Sequence, residues 1–495
     1  MTEFELKLEI PASRLAGVLA AVREGGATGK RLRACYFDTH GDELAAAGIV
    51  VRLRKEGRVW VQTAKCGGEG PLARLEHNVA IGVLPAGAVP DVSLSRHADT
   101  AVGERIARAL KARSLDDAPV LQSRFETDVQ RLARRVRCKS SVIEIALDRG
   151  KVLAGDAQAA LCEIEFELLE GDPADAVRLA HEWLVAHGLW LSTTSKSAKG
   201  RRLAEGRPFG PAVEAVTPRL RRGERGCAIM AAVIGACLEQ VLGNASEVGA
   251  GSVEAEHVHQ LRVGVRRLRS ALRELRALAP SLDPAWEAPL VDAFRVLGLH
   301  RDHGRLQAIT QPQLEAQGAP ALHVGDLADP PDLEAAVRSP AFQGVLLGLL
   351  EFTHSAQMRE VAGLPSEKAL KMLGARLEKL HAQGVRDGRR FQQLDPHRQH
   401  RVRKRLKRLR YLAEFVAPLF PAKRARDFIA ALKPVQDALG LYNDELMALE
   451  AYRSLAERDP VAWFGAGWHT ARRAPNAAQC QHELETFAKA KPFWD

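Results

Sequence analysis

Polar and apolar residues alternate from the first positions of the chain. Glu3, Glu5, Lys7 and Glu9 interleave with Phe4, Leu6, Leu8 and Ile10. On a β-strand this puts every charge on one face and every apolar side chain on the other. A helix is predicted over Pro11–Arg23. Alternation returns in Arg33–Thr39 and in Ile49–Lys55, where Arg52 and Arg54 share a face. Glu56-Gly57-Arg58 is a hairpin turn, and Val59–Lys65 is the return strand. Arg74-Leu75-Glu76-His77-Asn78 repeats the pattern. Further strands are predicted over 120–131, 133–139, 141–148 and 161–169, the last with Glu163, Glu165 and Glu167 two residues apart.

The period then changes. Gly206-Arg207-Pro208-Phe209-Gly210-Pro211 breaks the β pattern. From Arg222 onward the spacing is helical, with helices predicted over 223–243, 252–278, 284–308, 331–339, 340–361, 365–385, 395–420, 422–438 and 441–456, and a loop over 310–333. The expected organisation is an α+β multidomain chain: a β domain at 1–208, a linker at 209–221 and an all-α domain at 222–495.

The helical part repeats itself. His259-Gln-Leu-Arg262-Val-Gly-Val-Arg266-Arg267-Leu-Arg269 is echoed by His400-Arg-Val-Arg403-Lys404-Arg405-Leu-Lys407-Arg408-Leu-Arg410, about 141 residues later. Each copy is followed by a short segment, Leu297-Gly298-Leu-His-Arg301-Asp302 and Leu439-Gly440-Leu-Tyr-Asn443-Asp444. Steps of three and four put His259, Arg262, Arg266, Arg269 and Arg273 on one face of the first helix, and His400, Arg403, Lys407 and Arg410 on one face of its echo. Like charges stacked this way destabilise an isolated helix, so an anion is the expected partner. The duplication predicts two pseudo-twofold-related helical bundles, about 222–330 and 331–495, each giving one basic helix to a continuous positive surface.

Composition narrows the partner. The 495 residues carry a net charge of +10, which favours a polyanion. Aromatic residues are only 5% of the chain and do not interleave with the cations, so platforms for stacking bases are not evident. Neither basic helix offers an Asn or Gln cluster for base edges. A backbone-only grip on a phosphate chain fits better, with nucleic acid bound non-specifically if at all. Seven scattered cysteines without a CxxC point to reduced thiols in a cytoplasm. The acidic start of the chain is unlike a signal peptide. The apolar run Cys227–Leu238 is too short to span a bilayer and reads as a buried helix, so no membrane partner is expected.

In the β part, several strands pair acids or pair cations on one face. If those faces lined a closed barrel, acids and bases would oppose one another around a polar lumen suited to a metal-bound polyphosphate. Glu3-x-Glu5-x-Lys7 resembles the ExExK signature of the CYTH superfamily, the triphosphate tunnel metalloenzymes. The resemblance continues through Tyr36-Phe37-Asp38-Thr39, Arg52-x-Arg54, Thr63-x-Lys65, Arg74-x-Glu76, Glu144-x-Ala-x-Asp148, Glu163-x-Glu165-x-Glu167 and Ser195-Lys196. It implies an antiparallel eight-stranded β-barrel enclosing a tunnel, and metal-dependent hydrolysis of inorganic triphosphate to pyrophosphate and phosphate. It further implies Glu3, Glu5, Glu163 and Glu165 as ligands of Mg²⁺ or Mn²⁺. Lys7, Arg52, Arg54, Lys65, Arg74 and Lys196 would grip phosphates, and Arg124 joins them by strand phase. Glu3, Glu5, Lys7 and Glu76 would be the catalytic set. Two positions depart from the family pattern. Asn78 stands where a second acid is common, and Lys199 where Arg is expected.

The helical part resembles the CHAD domain, the conserved histidine α-helical domain. This resemblance implies inorganic polyphosphate bound by His259, Arg262, Arg266, Arg269, Arg273, His400, Arg403, Lys407 and Arg410. Arg267 and Arg408 lie off the stripe but within reach of the same groove. Asp302 and Asp444 would position neighbouring cations or cap helices. The functional expectation is a cytoplasmic triphosphatase, at polyphosphate granules through its second domain. The alternatives are a polyphosphate-binding scaffold with a vestigial tunnel, or a hydrolase of an organic triphosphate.

Overall fold

The computed structural model describes residues 2–67, 73–85, 87–116, 118–280, 282–322, 331–355 and 364–494, with the side chains of residues 2, 3, 73 and 74 outside that description. Contacts group the chain into two units: Met1–Val213 with Leu238–Ser252 and Val337–Ala356, and Glu214–Cys237 with Val253–Ala336 and Gln357–Asp495.

The first unit is built on one nine-stranded antiparallel sheet. Its strands are β1 Thr2–Glu9, β2 Thr28–Asp38, β3 Ile49–Glu56, β4 Val59–Gly67, β5 Ala73–Val83, β6 Gln122–Cys138, β7 Ser141–Ala154, β8 Ala157–Glu170 and the two-residue β9 Trp190–Leu191. The order is β5-β4-β3-β2-β6-β7-β8-β1-β9, and β1 also pairs with β5 over Thr2–Phe4. Two-residue turns hold the long hairpins in register. Gly57 (φ 61°) turns β3 into β4, and Gly155 (φ 56°) turns β7 into β8. Both angles are ones a Cβ disfavours and hairpin turns require.

The alternation sorts the two faces. Leu6 and Leu8 of β1, and Ile164 and Phe166 of β8, are fully buried on the apolar face. Helices α1 (Leu15–Arg23), α2 (Glu43–Ala46) and α3 (Ala101–Leu110) precede α4 (Pro173–His187), which packs there, with Trp183 edge-on to Phe166 at 5.9 Å. Asp172 caps α4, accepting from Ala174 N–H at 2.9 Å. The opposite, polar face surrounds the candidate site. Helix α5 (Lys196–Ala204), capped by the Ser195 hydroxyl on Ala198 N–H at 3.1 Å, packs on the sheet through Gly200. A Cβ at Gly200 would collide with the Phe125 ring. Gly200→Ala should therefore cost about 1–3 kcal/mol. The check is the thermal unfolding midpoint, and an unchanged value would mean that α5 shifts freely.

In the second unit the basic helices are Ala255–Glu274 and Pro396–Val416. Leu261, Val265 and Leu268 of the first, and Leu406, Leu409 and Leu412 of the second, are fully buried, opposite the charged stripes. Other helices of this unit are Glu287–Arg305, Ser366–Gly388, Ala422–Ala456 and Trp463–Phe487.

Several boundaries differ from the sequence reading. The strands expected at 120–131 and 133–139 are one strand, because neither Gly nor Pro interrupts the run and its register with β7 is unbroken from Glu126↔Leu153 to Cys138↔Ser141. The helices expected at 422–438 and 441–456 are one helix of 35 residues. It runs through Pro434 and Gly440 because Leu432, Val435, Leu439 and Tyr442 stay buried along one side. Helices at 101–110, 173–187, 196–204 and 463–487 were not expected. Part of the loop expected at 310–333 is helical, at Gln311–Glu315, and 323–330 lie outside the described residues. The Cys227–Leu238 run belongs to a longer helix, Gly226–Gly249, long and apolar enough by length and composition to cross a membrane, with 67% of its most apolar window buried within the protein.

Candidate functional site

Seven strands and the start of α5 turn polar side chains to one cavity of about 260 Å³ in the first unit. Period-two alternation selects them. Glu5 and Lys7 come from β1, Arg52 and Arg54 from β3, Thr63 and Lys65 from β4, and Glu76 and Asn78 from β5. Arg131 comes from β6, Asp148 from β7, Glu165 and Glu167 from β8, and Lys196 from α5.

At one side lies an acidic cluster of Asp148, Glu163 and Glu165, with one carboxylate oxygen of each within 4.8 Å of the others. The Lys196 ammonium sits among them, 2.8 Å from Asp148 Oδ2, 2.7 Å from Glu163 Oε1 and 2.5 Å from Glu165 Oε1. Arg131 binds Asp148 Oδ2 at 2.6 Å and Glu165 Oε2 at 2.5 Å. Behind Glu163, Lys199 joins its Oε2 to Glu9 Oε1, both at 2.7 Å.

Burial pushes the Glu163 carboxyl up, but Lys196, Lys7 and Lys199 outweigh it and hold it down at about 2. Glu165 is likewise held well below the ordinary range, with burial overcome by Lys196 and Arg131. Burial lowers Lys196, and the three carboxylates more than reverse this. Glu167 goes the other way, raised by burial and by the nearby Glu5 and Glu144 carboxylates. Lys7 is lowered by burial and by the lysines beside it, and donates to the Thr194 carbonyl.

At the other side, Lys65 pairs with Glu76. Asn78 donates to Glu76 Oε1 at 2.7 Å and accepts from the Thr63 hydroxyl at 2.6 Å. The Nε atoms of Arg52 and Arg54 are buried without a hydrogen-bond partner, a costly state unless an acceptor arrives.

Most of the expected tunnel residues thus meet in one cavity: Glu5, Lys7, Arg52, Arg54, Lys65, Glu76, Glu165 and Lys196. Glu163 lies one layer behind its lining, in the acidic cluster. The side chains of Glu3 and Arg74 lie outside the described residues, although their backbones are register partners between β1 and β5. Arg124 does not line the cavity. The inward phase of β6 is Thr127, Val129 and Arg131, and Arg124 instead binds Asp42 at 2.6 Å. The sequence pattern assigns no role to Arg131 or Asp148. Counting by twos along β6 from Thr127 would have found Arg131, and Asp148 lies within the Glu144-x-Ala-x-Asp148 segment already singled out.

In the second unit the basic stripes divide into two classes. Arg269 and Arg273 bind Glu287 at 2.8 and 3.3 Å, and Arg410 binds Glu414 at 2.6 Å. Arg262, Arg266, Arg403 and Lys407 have no carboxylate within ion-pair distance among the described residues. Their contacts are neutral: Arg262 lies 4.4 Å above the Phe294 ring, and Arg266 Nε donates to the Tyr411 hydroxyl at 2.9 Å. The Nε atoms of Arg262 and Arg403 are buried and unpaired. Burial and mutual repulsion, with Arg301 adding to it, lower Arg262 to about 9, Arg403 to about 10 and Lys407 to about 6. His259 and His400 are exposed beside these cations, and burial and the neighbouring cations lower both.

Arg267 does not reach that groove. It is 3% exposed, donates to the Val216 carbonyl at 3.1 Å and stacks over Phe415, because its helical angle faces the core. Arg408 is tied to Glu274 at 3.3 Å. Asp302 and Asp444 do hold cations, Asp302 on Arg301 at 2.5 Å and Asp444 on Arg305 at 3.2 Å.

Residues 1–200 match the family model of the CYTH domain, and residues 232–453 match that of the CHAD domain. A curated protein from Haemophilus influenzae, an inorganic triphosphatase, is 27% identical over 168 residues, 33% of this chain. The chain spans 44% of that relative's length. A solved CHAD domain from the plant Ricinus communis is 27% identical, over 55% of this chain and 96% of its own, with a TM-score of 0.47. A putative adenylyl cyclase from Hippeastrum, described as having a dominant triphosphatase activity, is 19% identical over 42% of this chain and 97% of its own, with a TM-score of 0.31.

Proposed function

We propose, for a chain that carries a CYTH domain at 1–200 followed by a CHAD domain at 232–453, that the cavity of the first unit hydrolyses inorganic triphosphate to pyrophosphate and phosphate. The carrying observation is the opposition within one cavity of Glu5, Asp148, Glu165 and Glu167 to Lys7, Arg52, Arg54, Lys65 and Arg131. Pairing of β1 with both β5 and β8 supports reading the sheet as an eight-stranded barrel around this lumen, with β9 outside the ring.

The acidic cluster suits a hard divalent cation. Its donors are all carboxylate oxygens, and three of them converge within 4.8 Å. Asp148, Glu163 and Glu165, with Glu5 and Glu3 from β1, would hold Mg²⁺ or Mn²⁺. When bound, the ion would draw charge from the phosphate oxygens of the leaving pyrophosphate. The chain's cations do the rest. Arg52 and Arg54 have buried Nε–H groups lacking acceptors, which phosphate oxygens would supply. Lys7, Lys65, Lys196 and Arg74 add charge along the chain of phosphates. Glu76, which accepts a hydrogen bond from Asn78, would accept a proton from the attacking water. In this reading Asn78 replaces a second acid as an orienting group, which keeps the tunnel catalytic.

In the CHAD domain, Arg262, Arg266, Arg403 and Lys407 would bind inorganic polyphosphate, with His259 and His400 beside them. Arg269, Arg273 and Arg410 extend the path where the anion displaces their carboxylates. Four half-buried cations without carboxylate partners among the described residues, two of which (Arg262 and Arg403) have unpaired Nε–H groups, support this reading. A cytoplasmic protein at polyphosphate granules follows from it.

Incubating the pure chain with tripolyphosphate and Mg²⁺ or Mn²⁺ tests the first site. Phosphate release is expected, and Glu5→Gln should reduce it at least about tenfold. No release at any metal concentration would favour the binding scaffold with a vestigial tunnel. Release unaffected by Glu5→Gln would remove this cavity as the site.

A further inference from the structure

We propose that Lys196 is a built-in counter-ion of the acidic cluster, which the divalent cation must displace, and that the displaced ammonium then turns to the phosphates. The proposal rests on the metal reading above. It assigns Lys196 two successive partners, whereas the family resemblance implies only the phosphate.

The geometry carries it. One ammonium nitrogen lies 2.5–2.8 Å from an oxygen of Glu165, Glu163 and Asp148, so it stands where those three carboxylates converge. An ammonium offers three N–H donors in fixed tetrahedral directions. Only the contact to Glu165 has hydrogen-bond geometry. Glu163 Oε1, wholly buried, has no hydrogen-bond partner although the nitrogen is 2.7 Å away. Both Asp148 oxygens take their hydrogen bonds from Arg131. Lys196 therefore serves two of the three carboxylates as a point charge. A divalent cation satisfies such oxygens without directional donors and brings twice the charge.

Lys196 is also free to leave. It is the first residue of α5 and lines the cavity, and its four-carbon stem can move the charge without moving the backbone. Lys199 is different. It is clamped between Glu163 and Glu9 and does not line the cavity, so it keeps Glu163 in place while Lys196 exchanges. Two consequences follow. The cluster stays charge-compensated and folded without metal. Metal binding delivers a cation to the lumen, so metal and triphosphate should each tighten the other's binding.

The test is Mn²⁺ binding without substrate, by calorimetry, for the full chain and for Lys196→Gln. With its competitor removed, the variant should bind Mn²⁺ at least about tenfold tighter. Its metal-free unfolding midpoint should fall, and Mn²⁺ should restore it more than it raises that of the unaltered protein. Equal or weaker binding by the variant, where the unaltered protein binds, overturns the exchange alone. Absence of Mn²⁺ binding by both proteins overturns the metal reading and the exchange with it. Should Lys196→Gln not fold, reductive methylation of the unaltered chain, read by mass spectrometry on the peptide containing Lys196, decides the question. Labelling of Lys196 should rise when Mn²⁺ is added, and unchanged labelling overturns the proposal.

Discussion

Glu165→Gln is expected to lower tripolyphosphate hydrolysis by about 10²-fold or more. Glu165 joins three parts of the site. It bridges Lys196 and Arg131, each at 2.5 Å, and it pairs in register with Lys7 across β1 and β8. Glutamine removes the charge and turns an NH₂ donor toward one of two cations. Breaking a buried ion pair this way costs about 3–5 kcal/mol of stability, so turnover must be measured below the variant's unfolding midpoint. The same carboxylates fix the acid limit of the fold. The Glu163 and Glu165 carboxyls lie below the ordinary value of 4.5, Glu163 at about 2. Their contribution is fully present above 4.5 and is lost as pH falls toward the folded values. The unfolding midpoint of the unaltered protein should therefore drop below about pH 4.5, and less steeply in Glu165→Gln. An unchanged turnover in Glu165→Gln, with the midpoint intact, would remove the acidic cluster from the reaction.

Arg266→Ala combined with Lys407→Ala should weaken polyphosphate binding by about 10²-fold or more, since each charge-assisted contact contributes about 1.5–3 kcal/mol. Binding of the unaltered protein should fall steeply with salt, and the double variant should show a shallower dependence. The pH dependence is more specific. Burial and the charges of Arg266, Arg403, Arg262 and Arg301 lower Lys407 to about 6 in the empty site. Asp444 acts on Arg403 and Asp302 on Arg262 without reversing the lowering of either, and the strongest charges acting on Lys407 itself are all cations. A bound polyanion raises that value, so binding takes up a proton between the two. Affinity should be greatest at or below pH 6 and decline above it. The effect on folding has the opposite sense. Because Lys407 is lowered from 10.5, its charged form opposes the fold below pH 6, and stability from this group rises with pH from 6 to 10.5. Lys407→Ala should thus raise the unfolding midpoint most in acid. Calorimetry in two buffers of different ionisation enthalpy reads the proton directly, and equal heats would refute the assignment.

Strand phase shows how far local sequence reaches. Glu5 and Lys7, Arg52 and Arg54, and Thr63 and Lys65 were readable as same-face pairs because side-chain period in a strand is a local property. Arg124 failed by the same measure: it lies seven residues from Arg131, an odd step, so in one strand the two face opposite sides. The helical stripes were equally readable, as was their repetition. Helix Trp463–Phe487 escaped notice, its apolar positions being interrupted by polar residues and Pro475.

By itself, the sequence determined which residues share a face, that acids and cations alternate along the first part, and that a basic helix occurs twice. Only the tertiary structure decided which charges meet. Asp148 and Arg131 enter the acidic cluster through β6–β7 register and the approach of α5, contacts between residues up to 48 positions apart in the chain, Asp148 to Lys196 at 2.8 Å. The stripes are uniform in sequence, yet Glu287 and Glu414 neutralise one set of arginines and leave Arg262, Arg266, Arg403 and Lys407 uncompensated. The physical reason is common to both sites. Periodicity is set by neighbours along the backbone. Charge compensation is set by Coulomb interactions over a few ångströms, and only folding determines which groups come that close.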